Sequence, residues 1–426
     1  MLTGLIRPPA STALVPGHPA RAPELVVHTP EHPAQPWTVQ HGTDRYFRVG
    51  ADAACLLDAL DGRRTPAQLA NELGAPWTPA TVGQALAAFA THGWLADTDT
   101  AAPPRRQRVT YKRPLTIQLA LFDPSKLLRH ARPALAWLAA PYAALAALAG
   151  VLITVATLLT HLPELRRLAQ HPPSAAAFTA AVLLGLFSGV LHEFGHASML
   201  LAHGGRPRRF GVMLFYLMPA LFCDVSDGWR LPHARRRVAV ALAGVGTELV
   251  LAGIASLLVL FLPPGTLATA LLLYLTGCMG RCVFNLMPFV KLDGYLALMS
   301  HLDISHLRDR AMTDARNALA KILFGGIYRR ELPLSRWTTA FGLGCMVFPV
   351  LMLTQALLLW TYILPITGTI AALATSALFL ALAVRLLIGL YRLYTRARTA
   401  GATRRRITLT TLAAATTATA LLLALT

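Results

Sequence analysis

A His-Glu-x-x-His motif, LHEFGH at positions 191–196, lies inside a segment that is otherwise apolar. From Ala175 to Ala202 the chain carries a single acid, Glu193, and neither Lys nor Arg. On a helix, His192 and His196 are one turn apart on the same face, which is the geometry that two zinc ligands need. Glu193 then lies beside them, where it can take a proton from a metal-activated water. The motif therefore predicts a zinc site within a membrane helix.

The apolar context of this motif strengthens the metal interpretation. A charge at the bilayer centre costs about 2.5–3.5 kcal/mol on insertion scales, so three ionisable groups in one helical turn are expensive. A bound cation offsets that cost. The alternative interpretation is three polar side chains that line a helix-bundle contact. We favour the metal, because the motif and its context together are more specific than either alone.

The composition is that of a membrane protein built mainly from helices. Of the 426 residues, 55% are hydrophobic, and the mean hydropathy is +0.50. These values exclude one ordinary soluble domain and favour a polytopic helix bundle. The five cysteines are scattered and odd in number, so no disulfide framework is expected. Apolar stretches of spanning length predict six or seven spans, at 133–160, 175–203, 238–262, 266–288, 338–363, 367–390 and, as the seventh, 407–426.

Arg and Lys are distributed unevenly between these spans. The loops 204–237, 291–337 and 391–406 carry seven, eight and six of them, whereas the alternate loops carry two, none and none. The positive-inside rule then predicts a cytoplasmic N-terminal domain and cytoplasmic basic loops. This distribution accounts for the net charge of +19 without nucleic acid, and the partner that it indicates is the lipid bilayer.

The N-terminal region predicts a small soluble α+β domain. Thr65-Pro66 and Thr78-Pro79 are each an N-cap followed by Pro at the first helical position. One strand, three helices and a returning strand near Trp94 form a winged-helix-like pattern. The third helix, 78–92, has no Lys or Arg to meet phosphates, so peptide binding is favoured over DNA binding.

Along the chain, these patterns predict five regions. They are a disordered tail rich in Pro, Ala and His (1–36), the winged-helix-like domain (37–98), a linker with an interfacial segment (99–132), a membrane core that contains the motif (133–305), and a cytoplasmic loop followed by C-terminal spans (306–426).

A catalytic zinc needs a third protein ligand, and Asp293 is the best candidate. It stands in Leu-Asp-Gly at 292–294, shortly after Asn-Leu-Met-Pro at 285–288. Pro288 and Gly294 interrupt the helix, so the backbone there can bend toward a polar cavity. The alternative interpretation is a plain turn at a membrane exit, where Asp-Gly is common.

The two motifs together resemble the site-2 protease family of intramembrane zinc metalloproteases, over about 180–305. The resemblance implies that His192, His196 and Asp293 bind Zn²⁺ and that Glu193 is the general base. It also implies that Asn285 supports the substrate or the oxyanion. A further family helix matches Ala-Leu-Ala-Gly at 241–244, but Val245 and Glu248 stand where the family usually has Pro and Asn.

Two charged residues lie deep within predicted spans. Glu248 is about ten residues inside the third span, and Arg281 lies about as deep in the fourth. We predict that they form a structural ion pair, because unpaired charges in a membrane are costly. The alternative is that Glu248 serves as an additional acid of the zinc site.

The loop between the second and third spans contains an apolar stretch, 210–222, followed by several polar residues. The family resemblance implies strands beside the active site in this stretch, to which an extended substrate can add. Cys223, Asp224, Asp227 and His233 fit no standard metal spacing, and we expect them to be solvated loop residues.

The stretch 45–97 resembles the PqqD-like domains that bind leader peptides in bacterial peptide natural-product pathways. Tyr-Phe-Arg-Val at 46–49 and the segment 56–65 carry this likeness. Residues 293–295 and 308–311 are similar to the peptide zinc metalloproteases of such pathways, with daptide-type clusters as a plausible home. The resemblance implies a bacterial cytoplasmic-membrane metalloendopeptidase that removes the leader from a ribosomally made precursor peptide.

Two other functions stay open at the level of sequence. One is a site-2-type protease that cuts a membrane-anchored regulator such as an anti-sigma factor, although the PDZ insertion common in that branch is not visible. The other is a non-catalytic peptide exporter or immunity protein, against which the intact Glu193 argues because binding alone needs no base.

Overall fold

The structure is a computed structural model of the chain. It divides into two compact units, Met1–Leu286 and Met287–Thr426. The described residues are 17–30, 37–42, 45–96, 109–112, 116–128, 141–215, 218–304, 306–325, 332, 337–348, 351 and isolated positions between 376 and 408.

The first unit begins with a small α+β lobe, here called the N-terminal lobe and defined as the described residues between 17 and 96. A three-stranded antiparallel sheet in the order β1-β2-β3 precedes three helices. The elements are β1 (Leu25–His28), β2 (Trp37–His41), β3 (Arg45–Val49), α1 (Ala51–Ala59), α2 (Pro66–Leu73) and α3 (Pro79–Thr91).

The predicted helix starts in the lobe are confirmed. Thr65 and Thr78 are N-caps whose side chains accept a hydrogen bond from the backbone three residues on, and Pro follows each of them. In both helices the side chain at the third position accepts a hydrogen bond from the backbone N–H of the cap, which completes a capping box. Local chemistry alone therefore fixes where α2 and α3 begin.

Two predictions at the edges of the lobe need correction. The tail was expected to be disordered throughout 1–36, but Leu25–His28 forms β1, because its apolar residues pair with β2 and Leu25 enters the core. The returning strand near Trp94 is reduced to a single bridge between Arg21 and Leu95. Trp94 itself is buried in the core, so it anchors the lobe instead of extending a wing.

A second antiparallel sheet, in the order β4-β5-β6-β7, lies next in the chain. β6 (Phe210–Phe215) and β7 (Met218–Cys223) confirm the strands expected between the second and third spans. β4 (Val109–Lys112) and β5 (Thr116–Phe122) correct the prediction of a linker and interfacial segment, because they pair with each other and with β6. The sheet that follows the N-terminal lobe therefore has four strands among the described residues.

Among the described residues, four helices are long and apolar enough to cross a membrane, so the protein is a membrane protein. They are α4 (Pro141–Thr160), α6 (Ala175–Ala202), α7 (Ala234–Phe261) and α8 (Thr266–Asn285), with the short α5 (Leu162–Gln170) after α4. α7 begins four residues before the predicted 238, so it includes the arginines at 235–237. The predicted spans 367–390 and 407–426 lie almost wholly outside the described residues.

Glycines allow these helices to approach closely. A Cβ at Gly253 of α7 would meet the backbone of Gly150 in α4, and one at Gly195 of α6 would meet Ala243 and Thr247 of α7. Lipid tails supply no hydrophobic force between helices, so small residues and interhelical hydrogen bonds carry the packing. The α6–α7 pair formed in this way carries the functional site.

The second unit contains three helices among its described residues. They are α9 (Asp293–Leu302), α10 (Leu307–Phe324) and α11 (Trp337–Phe348). α11 covers the first part of the predicted span 338–363, the rest of which lies almost wholly outside the described residues.

Candidate metal centre

The two histidines of the motif point at the same spot from one face of α6. Both side chains are buried, and their Nε2 atoms are 3.1 Å apart. Two nitrogens that share a tetrahedral zinc at about 2.0–2.1 Å are separated by about 3.3 Å. The spacing and burial of His192 and His196 therefore fit a common metal ion.

The other nitrogen of His196 is held by the neighbouring helix. Nδ1 lies 2.7 Å from the carbonyl oxygen of Val240 in α7, and a carbonyl can only accept, so Nδ1–H donates. Nε2 then keeps its lone pair for a metal. This second contact is the one that metal-bound histidines usually make, and it fixes both the tautomer and the ring orientation.

The other nitrogen of His192 faces a carboxylate. Its Nδ1 lies 3.6 Å from Oε2 of Glu248, a little beyond hydrogen-bond length. The second oxygen of Glu248, Oε1, accepts from Arg281 at 2.7 and 3.0 Å. Arg281 also donates to the hydroxyl of Ser188, one turn before His192 on α6. The two deep charges predicted from the sequence thus lie beside each other and next to the histidines.

Space for the two imidazoles depends on a glycine. A Cβ at Gly244 of α7 would clash with the Nε2 atoms of both His192 and His196. Gly244 lies midway between Val240 and Glu248, at intervals of four residues, so all three are on one face of α7. This face therefore leaves room for both imidazole rings, and it places an oxygen atom near the Nδ1 atom of each ring.

Glu193 is fixed by the sheet. Its Oε2 accepts a hydrogen bond of 2.7 Å from the backbone N–H of Cys223, the last residue of β7. This contact could not be read from the sequence, because it needs the pairing of β7 with β6 to bring Cys223 to α6. It leaves the carboxylate beside the histidines and next to an edge strand of the sheet.

Asp293 is the first residue of α9, and Asn285 is the last residue of α8. Leu292 is the N-cap of α9, so Asp293 opens a helix and is not part of a plain turn. His192 and His196 lie in the first unit, and Asp293 lies in the second unit at the start of α9. Two nitrogens and a carboxylate oxygen are a donor set suited to zinc.

A second group of side chains that could bind a metal ion is explained instead by hydrogen bonds within the group. Glu248, Cys278 and Cys282 lie within 4.8 Å of one another. The thiol of Cys282 is 3.4 Å from Oε2 of Glu248, and that of Cys278 is 3.8 Å from its backbone oxygen. Both thiols therefore act as weak donors to Glu248, whose other oxygen is taken by the cationic Arg281.

The acids after β7 were expected to be solvated, and this expectation is wrong. Asp224 is buried and paired with Arg209 at 2.8 Å, and Asp227 is buried and accepts from Arg230 and from the backbone N–H of Arg206. Burial alone would raise the pKa of Asp224, but hydrogen bonds from Ser226 and the Arg209 guanidinium outweigh burial and lower it. The contacts of these two acids therefore stabilise the loop that follows Cys223.

The N-terminal lobe is joined to this loop. The hydroxyl of Tyr46 in β3 donates to Oδ1 of Asp227 at 2.9 Å. Burial and the nearby carboxylate raise the pKa of Tyr46 above its ordinary value, so the phenol stays protonated and able to donate. The strand that carries the peptide-binding resemblance is thus tied to the segment that holds Glu193.

No protein-family model matches this chain, and no curated protein matches it. The residues of the site, and not similarity to a characterised relative, therefore carry the functional argument that follows.

Proposed function

We propose that the protein is an intramembrane zinc metalloendopeptidase of the site-2 protease type. One observation carries the proposal: within a membrane helix, two buried imidazoles bring their Nε2 atoms to 3.1 Å while Glu193 lies between them in the sequence. A helix-bundle contact alone would not require both outer nitrogens to face acceptors on one face of α7.

The ligands of the ion are His192, His196 and Asp293. A zinc ion bound by them would act as a Lewis acid on the scissile carbonyl and lower the pKa of a water molecule toward about 7. Gly244 keeps the space that the ion and both rings need. Asp293 is proposed as the third ligand on the resemblance of its Leu-Asp-Gly motif, and three protein ligands are the number that catalytic zinc sites have.

Glu193 is the general base. It accepts the proton of the attacking water and delivers it to the leaving amine. The hydrogen bond from the Cys223 N–H holds one carboxylate oxygen of Glu193 at the end of β7. Asn285 supports the substrate or the oxyanion from the end of α8.

The substrate is an extended peptide that adds to the edge of β7. β7 ends the four-stranded sheet, and its last residue touches Glu193. Strand addition satisfies the backbone of the peptide and unwinds it, so the scissile bond becomes accessible.

The client is a ribosomally made precursor peptide whose leader is captured by the N-terminal lobe. Two features support this assignment: α3 has no basic residue, and β3 is an edge strand tied by Tyr46 to the active-site loop. The basic loops favour a multi-pass protein of the bacterial cytoplasmic membrane with the lobe in the cytoplasm.

The replacement Glu193→Gln tests the proposal. It keeps the shape of the side chain but removes the base, so cleavage of a precursor supplied in detergent or liposomes should fall about 10²- to 10⁴-fold. The matched control is Glu164→Gln on α5, where a partly exposed acid outside the motif changes in the same way. Cleavage is followed by mass spectrometry of the two fragments.

The outcomes separate three functions. Cleavage between leader and core by the wild type, lost only in Glu193→Gln, supports the proposal. Cleavage of a membrane-anchored regulator but not of a precursor would change the client and keep the mechanism. Turnover by Glu193→Gln equal to that of the wild type would contradict the proposal that the protein is a protease. Peptide binding by the wild type with no cleavage at all would contradict it as well.

A further inference from the structure

We propose that Glu248 is a positioning residue for His192, and this inference rests on the metal site of the proposed function. One oxygen of its carboxylate faces Nδ1 of His192, and the other accepts from Arg281. The carboxylate, 3.6 Å away, favours the tautomer of His192 that carries its proton on Nδ1, so Nε2 is left unprotonated and aimed at the ion.

The arrangement on α7 supports this role. Val240, Gly244 and Glu248 lie four residues apart and share one face of α7. Val240 contacts His196, Gly244 lies against both imidazole rings, and Glu248 faces His192. His196 uses the backbone carbonyl of Val240 as its acceptor, whereas the group that faces Nδ1 of His192 is the side chain of Glu248.

The surroundings of Glu248 show why the acceptor is a charged one. Its side chain is 1% exposed, and a buried carboxylate needs compensation. Arg281 balances the charge from the Oε1 side at 2.7 Å and is itself anchored on Ser188. Oε2 remains directed toward His192 and the thiol of Cys282. A plain ion pair would not require an imidazole beside the second oxygen.

The role predicts a specific effect on the metal. Loss of a partner behind a metal-bound histidine typically weakens metal binding about 10- to 100-fold. In the double replacement Glu248→Met with Arg281→Met, both charges and the acceptor are removed together, so folding is retained while zinc binding weakens by that factor. Glu248→Gln with Arg281→Met keeps a neutral acceptor and should recover part of the affinity.

The experiment measures zinc affinity by competition with a chelator, and the absorption spectrum of the Co²⁺-loaded protein, in purified full-length protein. Thermal unfolding of the same samples reports folding. The matched control is Cys278→Ala, a buried neighbour whose thiol donates to the backbone oxygen of Glu248. It should change neither the zinc affinity nor the cobalt spectrum.

The outcomes distinguish this role from the proposed function. Wild-type zinc affinity in the double Met variant would overturn the role of Glu248 while leaving the metal site intact. Weakened zinc binding with unchanged thermal unfolding supports it. If the double variant does not fold, Glu248→Asp gives the answer: its carboxylate is one methylene shorter, and an unchanged cobalt spectrum and affinity would overturn the proposal. A wild type that binds no zinc would instead defeat the proposed function itself.

Discussion

The N-terminal lobe and the α6–α7 helix pair are held together in opposite ways. The lobe packs large apolar side chains such as Leu56, Leu86 and Trp94 around one core. The helix pair meets through Gly195 and Gly244 and keeps its polar groups at the centre. In water, burial of apolar area stabilises a core. In lipid that force is missing, so close contact and polar pairing take its place.

This difference explains where the chemistry is located. Small residues on α7 open a gap between helices, and the imidazoles of α6 fill it. The lobe, which has no such gap in its core, offers a strand edge and a hydrogen bond from Tyr46 instead. The proposed chemistry therefore lies in the helix pair, and the proposed peptide capture lies in the lobe.

The largest effect should come from the core of the lobe. Leu86→Ala leaves a cavity in a fully buried position and should lower the free energy of unfolding of the lobe by about 2–5 kcal/mol. Hydrogen exchange of amides in 45–96 measures this, with the exposed Val26→Ala as control. Because the helix pair is packed independently, zinc content should not change. A loss of bound zinc in Leu86→Ala would contradict the view that the lobe and the helix pair are packed separately.

The next effect tests the gap in α7. Gly244→Ala puts a methyl group against both Nε2 atoms, and overpacking of this kind costs about 1–3 kcal/mol. Zinc affinity should therefore fall about 5- to 150-fold, as measured by competition titration. The control is Gly246→Ala, two residues further on the same helix, where an added Cβ meets nothing within 4 Å. Equal zinc affinities of Gly244→Ala and Gly246→Ala would contradict the proposed metal site.

The smallest effect concerns the link between the regions. Tyr46→Phe removes one hydrogen bond to Asp227, worth about 1 kcal/mol. We expect KM to rise about fivefold for a full-length precursor and to stay constant for a short peptide without a leader. Tyr142→Phe, at an exposed position of α4, is the control. An equal rise of KM for both peptides would mean that the link does not act on leader binding.

Much of this architecture follows from local sequence. The caps at Thr65 and Thr78 fix helix starts, and the apolar stretches predict the four spans, since both signals lie within one element. The motif predicts that His192 and His196 share a face for the same reason. Each of these inferences needs only the period of a helix.

The rest depends on contacts between distant segments. β5 pairs with β6 across more than 90 residues, so the segment 116–122 resembled an interfacial stretch instead of a strand. The burial of Asp224 and Asp227 depends on Arg209 and Tyr46, which no spacing rule joins to them. Glu248 was expected to pair with Arg281, but its second contact, with His192, needs the register of α6 against α7.

The most direct test of the account is the zinc content of the purified, detergent-solubilised protein. We predict about one zinc per chain in the wild type and in Glu193→Gln, because the base is not a ligand, and a near-complete loss in His196→Ala. A wild type without bound metal, or a His196→Ala variant that retains the full zinc content, would contradict the central claim.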